Sequence, residues 1–178
     1  IYGFSMQIYF DFSGYTDIAL GIAQLLGIKL PENFASPYLK PNLTQFWNNW
    51  HMTLTQWFRA YFFNPITRWL RSWQKPMSIP MMILLTQVAT MLLIGFWHGV
   101  TWNFTLWGLW HGLGLFIHNR WNDVTKAKSA AWATTPTKQA ILNISGILLT
   151  FHFVAIGWIF FALSSSVTSW QVIFKLFG

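Results

Sequence analysis

"LLIGFWHGVTWNFTLWGLWHG", residues 92–112, contains two histidines, each within Trp-His-Gly, and no Asp, Glu, Lys or Arg. The uncharged run extends from Lys75 to Arg120, and a second lies between Lys138 and Lys175. Each is longer than the ~20 residues a helix needs to cross a hydrocarbon core. A soluble domain carries about 25% charged residues. Here 8% are charged and 54% hydrophobic, too few water-facing side chains for a soluble surface. The sequence reads as an all-α, polytopic transmembrane helical bundle.

The chain has no cysteine, which excludes disulfides and thiol chemistry. A formal charge of +7 and 13 tryptophans invite the reading of a nucleic-acid surface. Trp collects at bilayer interfaces and Lys and Arg in cytoplasmic loops, so membrane residence accounts for both excesses and no nucleic-acid partner is expected. The chain opens at Ile1 inside an apolar run without the basic start of a signal peptide, and reads as a piece of a longer protein.

Four spans are expected, at about 3–28, 79–96, 102–119 and 139–163. Gly95 and Gly99 offer a place for the second to bend or re-enter. The connections flanking the middle two spans hold ten of the eleven basic residues. They share one side, which the positive-inside rule makes cytoplasmic. Residues 124–138 read as a polar loop. In the first connection, Pro41-Asn42 with Gln45 three residues on is a helix start with an Asn cap. Trp47, Trp50, His51, Leu54, Trp57 and Phe58 then keep helical spacing. One amphipathic helix, about 43–59, is expected to lie at the membrane surface, with His51 in its apolar stripe.

Ionisable groups within a membrane are costly and are functional candidates by default. Two readings of His98 stand: an interfacial ring bonded to a backbone carbonyl, or a neutral imidazole serving as general base. Gly95 and Gly99 would allow a substrate or a helix to approach it closely. His111 lies between Gly108 and Gly112, a pattern of close helix packing. His152 reads as an interhelical hydrogen-bond donor. No histidine pair has metal-ligand spacing, and no metal is expected. Gln7 with Asp11, and Ser13 with Asp17, are four apart and are expected to bond along the first helix or to neighbouring helices. Buried carboxylates of this kind also suit a transporter or channel path, which stands as the alternative function beside a non-catalytic scaffold.

Taken together, "QIYFDFSGYTDIALGIAQLLGIKLPENFASPY", "FWNNWHMTLTQWFR", "GFWHGVTWNFTLWGLWHG" and "FHFVAIGWIFFAL" resemble, in this order, the C-terminal half of membrane-bound O-acyltransferases. The resemblance is to the branch of the bacterial alginate O-acetylation protein, with the teichoic-acid D-alanyl transfer protein as a more distant relative. It departs from the branch at Asn48 and Asn49 (commonly basic), Ala60 (acidic) and Ala162 (often Arg).

The resemblance implies transfer of an acyl group, acetyl above all, from a cytoplasmic thioester to a hydroxyl across a bacterial inner membrane. His98 takes the general-base position and His51 the second polar position. Trp97, Trp50, Asn48, Arg59 and His111, in the same motifs, are the candidate substrate contacts. The donor is acetyl-CoA or another thioester, including one on a carrier protein, and no cofactor is permanently bound. The acceptor is a cell-envelope polysaccharide, with a periplasmic or extracellular acetylation partner protein.

Overall fold

The computed structural model describes residues 1–75 and 77–178, and among these every regular element is helical. Helix α1 spans Tyr2–Leu25, α2 Leu43–Asn49, α3 Met52–Phe58 and α4 Asn64–Arg71. They are followed by α5 Ile79–His98, α6 Trp102–Trp132, α7 Pro136–Ala162 and α8 Ser166–Phe177. A single 3₁₀ turn, Pro37–Leu39, precedes α2, and a π-helical turn, Arg59–Phe63, joins α3 to α4.

Helices α5 and α6 form a tight antiparallel hairpin because glycine removes the side chain wherever the backbones meet. A Cβ on Gly95 would lie 2.5 Å from the Phe104 carbonyl oxygen. On Gly108 it would lie 2.8 Å from that of Met91, and on Gly112 2.8 Å from Val88 Cα. The Gly108–Gly112 pair thus marks close packing, as its spacing predicts. The chain does not bend at Gly95; α5 runs unbroken to His98, and the approach Gly95 permits is that of α6.

Helix α7 returns antiparallel along α6. Trp110 Nε1–H donates to the Phe153 carbonyl at 3.0 Å, and near the far end Asn103 Nδ2 donates to the Leu163 carbonyl. Helix α1 reaches this unit through Tyr38, whose hydroxyl donates to the Ser5 carbonyl at 2.7 Å and accepts from Trp158 Nε1–H at 3.1 Å. The core between them is aromatic, with Phe46, Trp50, Trp107, Trp158 and Phe160 all buried.

Helices α5 and α7 are long and apolar enough to cross a membrane. Leu85 and Leu93 on α5, and Leu148 and Leu149 on α7, are exposed, a surface matched to lipid rather than water. Helices α1 and α6 are longer than 20 residues, but Asp11 and Asp17 in the one and its polar last turns in the other dilute their apolar character.

Three local expectations change. The single amphipathic helix over 43–59 is two helices, because the chain turns left-handed at His51 (φ 43°, ψ 56°). The segment expected to be a polar loop from 124 continues α6 to Trp132, since Ala and Lys there are strong helix formers. Helix α8, capped by Ser165, had no counterpart in the sequence reading.

Candidate functional site

The site begins with the break between α2 and α3. Asn42 caps α2 as its sequence predicts, its Oδ1 accepting from the Gln45 backbone N–H at 2.9 Å. At the other end, the groups that a continuous helix would pair are taken by the loop before the 3₁₀ turn. Ala35 N–H donates to the Asn49 carbonyl at 3.1 Å, and Met52 N–H donates to the Asn33 carbonyl at 2.9 Å. These tertiary bonds hold His51 in the left-handed region, where a non-glycine residue costs about 1–2 kcal/mol.

The Asn33 side chain fixes the ring as well. Its Oδ1 accepts from the Thr53 backbone N–H at 3.2 Å and from Thr53 Oγ1–H at 2.6 Å, and His51 Nδ1 lies 3.2 Å away. A backbone N–H can only donate, so the Asn33 atom is oxygen, and His51 Nδ1 in turn must carry the proton. Nε2 is then the nitrogen with the free lone pair. Phe12 meets the ring edge-on, with centroids 4.8 Å apart, and Trp97 lies at 6.1 Å. Burial holds the His51 ring below the usual imidazole range, favouring its neutral form.

His98 ends α5 directly above the first turn of α6. Its ring contacts Trp97, Phe104, Trp107 and Phe161, with centroid distances of 4.7–5.9 Å. Among the described residues no protein group hydrogen-bonds its ring nitrogens, so the reading of His98 as a ring satisfied by a backbone carbonyl does not describe this structure.

His51 and His98, 47 positions apart in the sequence, line one cavity of about 40 Å³ with Trp50, Trp107, Trp158 and Phe161. A water molecule needs roughly 10–15 Å³ of such space. The chamber therefore admits a few atoms at a time, and apart from Thr55 its other walls are aliphatic and aromatic. Among its lining residues there is no carboxylate, so neither imidazole has an acidic partner there. Protonating His51 would leave a charge with no carboxylate partner in the chamber.

The chamber shares Trp47, Thr55 and Ile94 with a larger cavity of about 140 Å³, which is also lined by Asn48, Arg59 and Gln87. On another side it shares Ile8, Phe12 and Phe161 with an open groove carrying Gln7 and Asp11. The histidine chamber thus shares lining side chains with two outer cavities.

The remaining candidate residues fall in different places. Trp50 lines the histidine chamber, and Trp97 touches both imidazoles from its rim with more than half its surface exposed. Asn48 and Arg59 face the larger cavity, where Arg59 Nη2–H donates to Asn48 Oδ1 at 2.5 Å. His111, expected among the substrate contacts, lines neither cavity. It is fully buried between Trp47, Trp107 and Phe153, with neither ring nitrogen bonded. A Cβ on Gly157 would lie 2.5 Å from its Nε2, so this is a packing position.

The other expected polar contacts are also revised. His152 Nδ1 pairs with the Leu148 carbonyl one turn back at 2.7 Å, an intrahelical contact in place of the expected interhelical one. Asp11 and Asp17 are exposed on α1 and form none of the expected bonds, because α1 packs through the face carrying Ser5, Thr16 and Ala23. The one ion pair among the described residues joins Arg120 to Asp123 at 2.5 Å. No group of three His, Cys, Asp or Glu side chains converges among them. The sequence reading did not single out Asn33, since its role depends on partners 18 and 20 residues away and leaves no local pattern.

Comparison with known proteins follows the same motifs. The model of the MBOAT, membrane-bound O-acyltransferase family matches residues 1–166. The chain is 36% identical over 168 residues to the teichoic acid D-alanyltransferase of Bacillus subtilis, covering 91% of this chain and 40% of that protein. It is 34% identical over 182 residues to the peptidoglycan O-acetyltransferase of Helicobacter pylori, covering 98% and 30%. To the protein named "Probable alginate O-acetylase AlgI" of Pseudomonas syringae pv. tomato it is 36% identical over 158 residues, covering 89% and 27%. The chain therefore spans well under half the length of these relatives. The teichoic acid protein, expected to be the more distant, matches at the same identity as the alginate protein.

Proposed function

The chain belongs to the membrane-bound O-acyltransferase family, and from that premise we propose that it forms the reaction chamber of an enzyme moving an acyl group from a thioester to a hydroxyl. The observation that carries this reading is the pair of imidazoles, His51 and His98, lining one small aromatic chamber that shares walls with two larger cavities. His98 is the general base. It takes the proton of the acceptor hydroxyl as the oxygen attacks the thioester carbonyl carbon. The tetrahedral adduct then collapses, the C–S bond breaks, and the imidazolium returns the proton to the departing thiolate. The narrow apolar walls keep bulk water from competing as acceptor.

The relatives' names mention teichoic acid, peptidoglycan and alginate, all cell-envelope polymers. The proposed acceptor is accordingly a hydroxyl of such a polymer or of an accessory protein that passes the group on. The donor is acetyl-CoA or another acyl thioester, entering past Asn48 and Arg59 from the basic side of an inner membrane crossed by α1, α5, α6 and α7. The acyl-transfer reading is favoured over a transporter because neither Asp11 nor Asp17 lines the histidine chamber, Asp11 lying instead in the adjoining open groove.

The test is transfer of a radiolabelled acyl group by membranes containing the full-length protein. His98→Ala is expected to abolish transfer while membrane insertion and abundance stay near wild type. Retained transfer removes the assignment of His98. Substrate flux through liposomes without any acyl donor would favour the transporter.

A further inference from the structure

We infer that Asn33 is a positioning residue for the reaction: its side-chain carbonyl keeps the proton on His51 Nδ1, so that Nε2 meets the substrates as a fixed hydrogen-bond acceptor. This rests on the acyl-transfer reading above and adds a role that reading does not need. Thr53 donates to the Asn33 oxygen through both its backbone N–H and its hydroxyl, and His51 Nδ1 lies 3.2 Å from the same oxygen. Facing an oxygen, His51 Nδ1 is favoured in its protonated form, since two opposed lone pairs would repel. Nε2 has no protein partner among the described residues, and His51 lines the chamber that also holds His98.

A neutral ring locked this way cannot donate to an oxyanion. It can only accept, from an O–H of the acceptor or an N–H of the donor's arm. His51 therefore aligns a substrate for His98 and does not stabilise the developing negative charge. The left-handed backbone at position 51 belongs to the same device, because the loop bonds from Asn33 and Ala35 impose the break that carries the ring into the chamber.

The charged and titratable surroundings of His51 are sparse. Helix α1 presents Phe12, α5 presents Trp97 and His98, and α6 and α7 bring Trp107, Trp158 and Phe161 to the same chamber. His98 is the one other titratable group lining it. Glu32, beside Asn33, is exposed, Asp11 lines the outer groove, and Arg59 lines the larger cavity.

Two measurements test the inference. In full-length protein labelled with ¹⁵N-histidine, the resonances lost in His51→Gln identify position 51. Its wild-type signature is expected to be protonated Nδ1 with unprotonated Nε2, and the opposite tautomer overturns the inference whatever the enzyme's activity. In transfer assays, Asn33→Asp keeps an acceptor in place but adds a negative charge, which raises the pKa of a hydrogen-bonded imidazole by about 1–3 units. The acid limb of the pH–rate profile is expected to move up by that amount, with transfer recovering at alkaline pH. A limb that stays put, with transfer lowered equally at every pH, makes Asn33 merely structural. If His98→Ala remains active the acyl-transfer reading itself fails; if it is inactive and the Asn33→Asp limb is unmoved, only this inference fails. A raised KM for the acceptor alone, or for the thioester alone, in His51→Gln identifies which substrate Nε2 holds.

Discussion

Gly95→Ala tests whether the α5–α6 hairpin positions His98. The added Cβ would lie 2.5 Å from the Phe104 backbone carbonyl oxygen, whereas side-chain carbons rarely come closer than 3.0–3.4 Å. Backbone cannot rotate away as a side chain can, so the two helices must separate locally by about 0.5–0.9 Å. Overpacking of this kind costs about 1–3 kcal/mol. Alanine's helix propensity returns about 1 kcal/mol, so the net destabilisation is about 0–2 kcal/mol. Because Gly95 sits one turn before His98, the same displacement moves the proposed base. A 1 Å misplacement can lower a rate by about 10²-fold, equivalent to roughly 2.7 kcal/mol of barrier.

The expected result for the full-length protein is therefore a large loss of acyl transfer with a small loss of stability. Denaturant titration in detergent reads the second, and labelled acyl transfer reads the first. Gly99→Ala supplies the contrast, since its Cβ would meet only the Phe104 ring, at 2.8 and 3.0 Å, and that side chain can turn aside. It should lose less. If Gly95→Ala keeps wild-type transfer, or if Gly99→Ala is the more damaging, close backbone packing is not what places His98.

Tyr38→Phe removes one hydroxyl and strands two buried partners, the Ser5 carbonyl and the Trp158 N–H. The expected cost is about 1–3 kcal/mol, measured by unfolding, and an unchanged midpoint would show that this tie between α1 and α7 contributes little. His51 gives a pH prediction with a definite sign. Its folded pKa lies below the ordinary value of 6.5, so the unfolded chain takes up this proton first as pH falls. Its contribution to stability is constant above about pH 6.5 and declines below it until the folded ring also titrates, by at most about 1.4 kcal/mol per pH unit. His51→Gln should flatten that part of the stability curve, and an unaltered slope contradicts the assignment.

The parts of the fold governed by local pattern were legible in the sequence. The uncharged runs specify α5, α7 and the apolar part of α6, the glycine spacing specifies the α5–α6 contact, and Asn42 announces the start of α2. What was not legible depends on distant partners. Periodicity alone carries a helix straight through His51; the break exists because loop residues 33–35 bond the ends of both short helices more favourably than continuation would. For the same reason His51 and His98 were recognisable as unusual residues, but Asn33 was not. Asp11 and Asp17 misled because an acid in an apolar run looks buried until the packed face of α1 is known. For His111 the glycine spacing pointed to packing, which its full burial matches, whereas its place among the substrate contacts rested on a Trp-His-Gly motif shared with His98.

The twist at residue 51 also makes stability and turnover pull against each other. Glycine adopts φ 43° without penalty and asparagine with little, so His51→Gly and His51→Asn are changes the main chain itself would welcome, each gaining up to about 1–2 kcal/mol there while deleting the imidazole. A library selected only for survival on heating should accumulate Gly or Asn at this position, whereas one selected for product formation should discard them. On the proposed reading, only selection for transfer would hold histidine at a site its own backbone disfavours.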